Sequence, residues 1–113
     1  MTLSDKQWEF LQDVSSLILY AQRKGYKLTG GELWRTKEQQ KIHFEAGRSK
    51  TMSSNHLNRL AIDLNLFIDG KPIWEFTQEW EDLGVYWESI RDDNRWGGHY
   101  KTFMDLPHFE RVA

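Results

Sequence analysis

A chain of 113 residues with a net charge of −2 and no cysteine fits one domain, 1–113, and excludes disulfides and thiolate metal sites. Any metal must therefore sit on nitrogen and oxygen ligands. No Lys/Arg run gives a nucleic-acid footprint, and six Trp, six Phe and four Tyr argue for a packed core rather than disorder.

The N-terminal residues Met1-Thr2-Leu3-Ser4-Asp5-Lys6 lack the basic-then-apolar pattern of a signal peptide. The nearby apolar stretch Leu17-Ile18-Leu19-Tyr20-Ala21 is too short to span a membrane. The expectation is synthesis in the cytoplasm, with no membrane insertion. Ser4-Asp5-Lys6-Gln7 reads as a capping box for a first helix, with Trp8, Leu11, Val14, Ile18 and Ala21 as its buried stripe and Gly25 as its stop. Tyr26 to Trp34 reads as a strand with a bend at Gly30-Gly31. Thr36-Lys37-Glu38-Gln39 is a second capping box, opening a short helix that runs to about Ala46. Arg48 to Arg59 is polar and reads as a loop.

Leu60 to Ile68 is a strong strand, interrupted in polarity only by Asp63 and Asn65. Asp69-Gly70 signals a hairpin turn, and Lys71 to Trp74 a short return strand that Pro72 keeps at an edge. Thr77 caps a third helix with the stripe Trp80, Leu83, Gly84, Trp87 and Ile90. Asp92 to Lys101 is loop or short strand around Gly97-Gly98, and His108 to Val112 is a last strand. The element order predicts an α+β domain. Trp8, Trp80 and Trp87 are read as core, and Trp96, beside the glycines, as the rim of a cleft.

Two segments carry candidate chemistry. His56 and Asp63 stand seven residues apart, and Asp105 and His108 three apart. An ionised carboxylate inside an apolar strand is costly unless paired or metal-bound. The two-residue period places Asp63 opposite the apolar face of Leu60, Ile62, Leu64 and Leu66, so it can face a cleft. If the last strand pairs beside this one, His56, Asp63 and His108 converge. Two His and one Asp form a three-ligand set for a catalytic zinc, with Asp105 left as a candidate base. The alternative reading of each residue is structural: an edge or turn carboxylate, or a surface or core histidine. His43 lies on a helix and reads as exposed.

Ser54 to Asp63 resembles the S-x-H-x-x-G-x-A-x-D motif of the zinc D,D-peptidases, a group that includes D-alanyl-D-alanine carboxypeptidases and dipeptidases and the phage L-alanyl-D-glutamate endopeptidases. Asp105-Leu106-Pro107-His108 resembles the second motif of that group, and Glu32-Leu33-Trp34-Arg35-Thr36 its upstream Arg-Thr element. Trp96-Gly97-Gly98 and Pro107-His108-Phe109-Glu110 are similar to the endolysin branch. The resemblance spans roughly Glu32 to Glu110. It implies three helices on a mostly antiparallel sheet, as in Hedgehog and D,D-peptidase folds. It implies Zn2+ on His56, Asp63 and His108, with Asp105 as general base and then acid. Arg35 would hold a substrate carboxylate or the oxyanion, and Ser54 would support the site. His99 is either a loop residue or a substrate contact. Arg59 stands where the motif has Gly, a residue that marks a special backbone angle or a tight approach.

The function this implies is a monomeric endolysin-type peptidase, phage or prophage, that cuts the peptidoglycan stem peptide at the L-alanyl-D-glutamate bond. It would wait in the cytoplasm for a holin and reach the wall only after release. The alternatives are a D-Ala-D-Ala carboxypeptidase or dipeptidase, a non-catalytic binding module on the same fold, and, more remotely, a His-Asn-His nuclease. Cobalt or manganese could replace zinc on these ligands.

Overall fold

The computed structural model describes residues 1–47 and 54–112. Helix α1, Leu3–Lys24, begins two residues earlier than the expected box. Thr2 is the N-cap: its hydroxyl accepts from Asp5 N–H, and the Asp5 side chain answers the Thr2 N–H. Gly25 closes the helix in the left-handed region, at φ 80°. The buried face also differs from the expected stripe. Phe10, Val14, Leu17 and Ala21 are buried, whereas Trp8, Leu11 and Ile18 are exposed. Both stripes have helical spacing, and the core takes the one that also carries Asp13. Arg91 donates two hydrogen bonds to the Asp13 carboxylate, at 2.9 and 3.1 Å, and Asn94 adds a third. A buried carboxylate so paired is tolerated on an apolar face.

Strand β1, Lys27–Gly30, is shorter than expected. Helix α2, Lys37–Glu45, carries the expected Thr36 capping box. Strand β2, Ala61–Ile68, is the centre of the sheet. Asp69 and Gly70 both have positive φ, 51° and 77°, as a two-residue hairpin turn requires. Beyond it β3, Lys71–Pro72, pairs briefly with β2. Helix α3, Gln78–Ile90, is capped by Thr77, and β4, Asn94–Trp96, runs into a single 3₁₀ turn, Gly97–His99. Strand β5, His108–Arg111, completes an antiparallel sheet of order β1-β2-β5-β4. No described helix is long and apolar enough to cross a membrane.

The core lies between this sheet and helices α1 and α3. Phe109 of β5 stacks near Trp80 and Trp96 and meets Trp87 edge-on at 5.9 Å. Each buried indole N–H finds a carbonyl: Trp80 on Ile73, Trp87 on Glu110 and Arg95, Trp96 on Leu106. Trp96 is thus fully buried, and its expected place at a cleft rim is corrected. The glycines around it are seats for the ring rather than signs of an open loop.

Gly84 is one such seat. At an exposed helix position alanine is favoured over glycine by about 1 kcal/mol. At Gly84 an added Cβ would lie 2.0 Å from Trp96 Cε3 and 2.2 Å from Cδ2. Overpacking a filled core costs about 1–3 kcal/mol, so the clash outweighs the propensity gain. Gly84→Ala is expected to lower the urea midpoint. A midpoint at or above the wild-type value would mean that α3 and β4 can part at little cost.

Candidate metal centre

The antiparallel register of β2 and β5 sets Asp63 directly opposite His108. On the other side of β2, Gly31 N–H donates to Asp63 O at 2.8 Å, and Asp63 N–H to Glu32 O at 2.7 Å. Both Asp63 backbone groups are therefore held from the Gly31–Glu32 side, while β5 pairs along the other edge of the strand. His56 sits in the turn just before the strand, where the Ser54 hydroxyl accepts from its N–H at 3.2 Å. Arg59 in that turn has φ 56°, the left-handed angle for which the motif's glycine is suited, and its guanidinium lies 4.9 Å from the Trp34 ring centroid.

Asp63 Oδ1 stands 3.3 Å from His56 Nε2 and 3.4 Å from His108 Nδ1. That oxygen is buried and has no hydrogen-bond partner among the described residues. The outer nitrogens are engaged: His56 Nδ1 lies 2.9 Å from Leu33 O, and His108 Nε2 2.6 Å from Glu110 Oε1. Both partners only accept, so each outer nitrogen carries a proton. The inner ones, Nε2 of His56 and Nδ1 of His108, then offer lone pairs to a common point. The three donor atoms lie within 4.8 Å of one another, the one such group of His, Asp and Glu found among the described residues. An orphaned carboxylate oxygen between two imidazole lone pairs fits a divalent cation.

The electrostatics agree. Burial alone would push the Asp63 carboxyl up, but the imidazoles of His108 and His56 reverse this and hold it well below the usual range. Burial opposes charge on His108, yet Asp63 and Glu110 push its pKa up to about 9. Asp105 lies close enough to the same cluster to feel its charges, and His108 N–H donates to the Asp105 carbonyl at 3.2 Å. Its residue keeps solvent access, but the surrounding protein desolvates its carboxyl and the Asp63 charge repels it. Together these raise its pKa against the pull of His108, His56 and Arg35. Its backbone is set by Gly97, whose carbonyl accepts from Asp105 N–H at 2.9 Å and where a Cβ would stand 2.1 Å from Asp105 O. Arg35 is buried at the start of α2, with its guanidinium held by Glu32 and Gln40. His43 is half-buried, 3.7 Å from Glu32.

The structure thus brings His56, Asp63, His108 and Asp105 to one place, with Ser54 beside His56. His99 points elsewhere: its Nδ1 meets Glu88 at 2.8 Å and its Nε2 meets Glu81 at 3.0 Å, both on α3. Gln40, which the sequence does not single out, contacts Arg35, and Glu110, named there only within a motif and without a role, contacts His108. Glu110 is readable in retrospect, because a strand places residue i+2 on the face of residue i. Arg48 to Ser53, part of the expected loop, lie outside the described residues.

Residues 47–111 match the family model described as D-alanyl-D-alanine carboxypeptidase. The chain belongs to this family. Among curated proteins, a D-alanyl-D-alanine carboxypeptidase-family chain such as this is similar to the "L-alanyl-D-glutamate peptidase" of Listeria phage A118, with 30% identity over 104 residues. That alignment takes in 83% of this chain and 34% of the phage protein, so the chain spans about a third of the relative's length. Among solved structures, the L-Ala D-Glu endopeptidase ChiX of Serratia marcescens shares the fold at a TM-score of 0.76 and 24% identity, over 92% of this chain and 78% of that one.

The His99 clamp has a pH signature. Burial lowers its pKa, but Glu81 and Glu88 outweigh this and the net direction is up. A folded pKa above the unfolded value means that the contribution is complete below about pH 6.5 and is lost as pH rises through the folded pKa. The stability advantage of wild type over His99→Gln, measured by thermal unfolding, is expected to be larger at about pH 6 than at about pH 9. An equal advantage at both would show that the ion pairs contribute nothing.

Proposed function

We propose that the chain is a zinc peptidase of the peptidoglycan stem peptide, acting on the L-alanyl-D-glutamate bond in the manner named for its phage relative. The observation that carries this reading is the buried, unpartnered Asp63 oxygen between His56 Nε2 and His108 Nδ1, with a second carboxylate, Asp105, close to His108 in the chain and within reach of its charge. A binding module has no need of that second carboxylate. His56, Asp63 and His108 would hold the ion, and a nitrogen-and-oxygen set of this kind suits zinc. Zinc in such a site supplies Lewis acidity and a water acidified toward a pKa of about 7.

The other roles fall to the chain's own groups. Asp105 takes the proton of the attacking water and hands it to the leaving amine, a task suited by a pKa above the ordinary carboxylate value. Arg35 offers a planar fork to a substrate carboxylate or to the developing oxyanion. Glu32 and Gln40 hold that fork in one orientation. In this reading the protein acts at the cell wall, where the stem peptide lies. The family description favours a second reading, a carboxypeptidase releasing terminal D-Ala.

Zinc-loaded protein is expected to clear outer-membrane-permeabilised Gram-negative cells, and a chelator to abolish clearing. Asp105→Ala should lower the rate by about 10²–10⁴-fold while zinc binding persists. Clearing that survives Asp105→Ala would remove the base assignment. Mass spectrometry of the digested muropeptides separates the two bonds: a cut after L-Ala supports the endopeptidase, and free D-Ala the carboxypeptidase.

A further inference from the structure

Three donors from three parts of the chain converge on Glu110. His108 Nε2, from the same strand, lies 2.6 Å from its Oε1. Tyr100 Oη, just beyond the 3₁₀ turn, donates to that oxygen at 2.8 Å. Asn55 Nδ2, from the residue next to His56, donates to Oε2 at 2.7 Å. A carboxylate has only acceptor sites, so it satisfies all three; an amide would turn an NH2 toward one of the donors. The half-buried Glu110 side chain therefore ties the turn that carries His56 to the strand that carries His108.

We propose that Glu110 is a positioning residue which, with Asn55 and Tyr100, locks His108 as its Nε2–H tautomer and aims Nδ1 at the metal position, and so sets the affinity of the centre for a divalent cation. This rests on the reading of His56, Asp63 and His108 as metal ligands. The physical basis is general: an imidazole ligand whose outer N–H meets a carboxylate is fixed in orientation and made more basic. Glu110 neither touches substrate nor binds the ion itself. Its effect is transmitted through His108 and, by way of Asn55, through the approach of His56.

The test measures zinc affinity by competition with a chromogenic chelator, for wild type, Glu110→Gln, Tyr100→Phe, Asn55→Ala and His56→Ala. Thermal unfolding of each metal-free protein runs alongside. Glu110→Gln is expected to weaken zinc binding by about 10–100-fold while the metal-free form still unfolds cooperatively. In the zinc-loaded variant the His108 Nε2–H proton resonance should move away from its carboxylate-bonded position, a change that a merely structural role would not produce. Tyr100→Phe and Asn55→Ala, which leave the Glu110–His108 bond in place, should weaken binding less. Zinc binding by Glu110→Gln as tight as in wild type would overturn the proposal. Should that variant fail to fold, undiminished binding in both Tyr100→Phe and Asn55→Ala would overturn it. His56→Ala keeps the two ideas apart, because it removes a ligand and leaves the tautomer lock. If wild type and His56→Ala bind zinc equally, the ligand assignment itself fails.

Discussion

The pairing of β2 with β5 brings Asp63 opposite His108, and the rest of the site depends on that register. A slip of one residue would send the Asp63 side chain to the opposite face and bury its charge among leucines. The register is fixed on both sides of the strand. The apolar set Leu60, Leu64 and Leu66 is committed to the core, and the Gly31 and Glu32 backbone locks Asp63 from the β1 side. Phe109, between His108 and Glu110, anchors β5 from beneath by packing among Trp80, Trp87 and Trp96. The strand alternation that buries Phe109 is the one that lifts its two neighbours to the other face.

The charges follow from this arrangement. Asp63, Asp105 and Glu110 crowd two imidazoles in a partly desolvated space. The carboxylates respond differently: Asp63 and Glu110 are held below the ordinary range by their imidazole partners, while Asp105 is pushed above it. Acidic groups whose surroundings drive them apart in this way can take different roles at one pH. Asp63 stays ionised, while the more exposed Asp105 can exchange a proton.

Much of this was legible in the sequence, because the signals were conflicts. Asp63 stands out as an ionisable residue in an apolar strand, and the period of two then predicts which way it faces. Thr36, Thr77 and Asp69-Gly70 are visible because capping and hairpin chemistry is local. The misread features were those settled by tertiary packing. Helix α1 offers two stripes at helical spacing, and nothing local tells that Asp13 will be neutralised by Arg91, 78 residues away. Trp96 next to two glycines looks like a loop aromatic until Gly84 and Gly98 are seen to be the space its ring fills. Glu110 stands in a recognised motif and on the face of His108, but its link to Asn55 and Tyr100 comes from segments that the sequence does not place beside it.

The two imidazoles are steadied by unlike partners. His56 leans on the main-chain carbonyl of Leu33, and His108 on a side-chain carboxylate. Any residue at position 33 presents the same oxygen, so genetic drift there leaves His56 oriented. Position 110 has no such insurance. The cluster therefore has one durable half and one fragile half, and sequence change at position 110 can reorient His108 without altering His56, Asp63 or His108 itself.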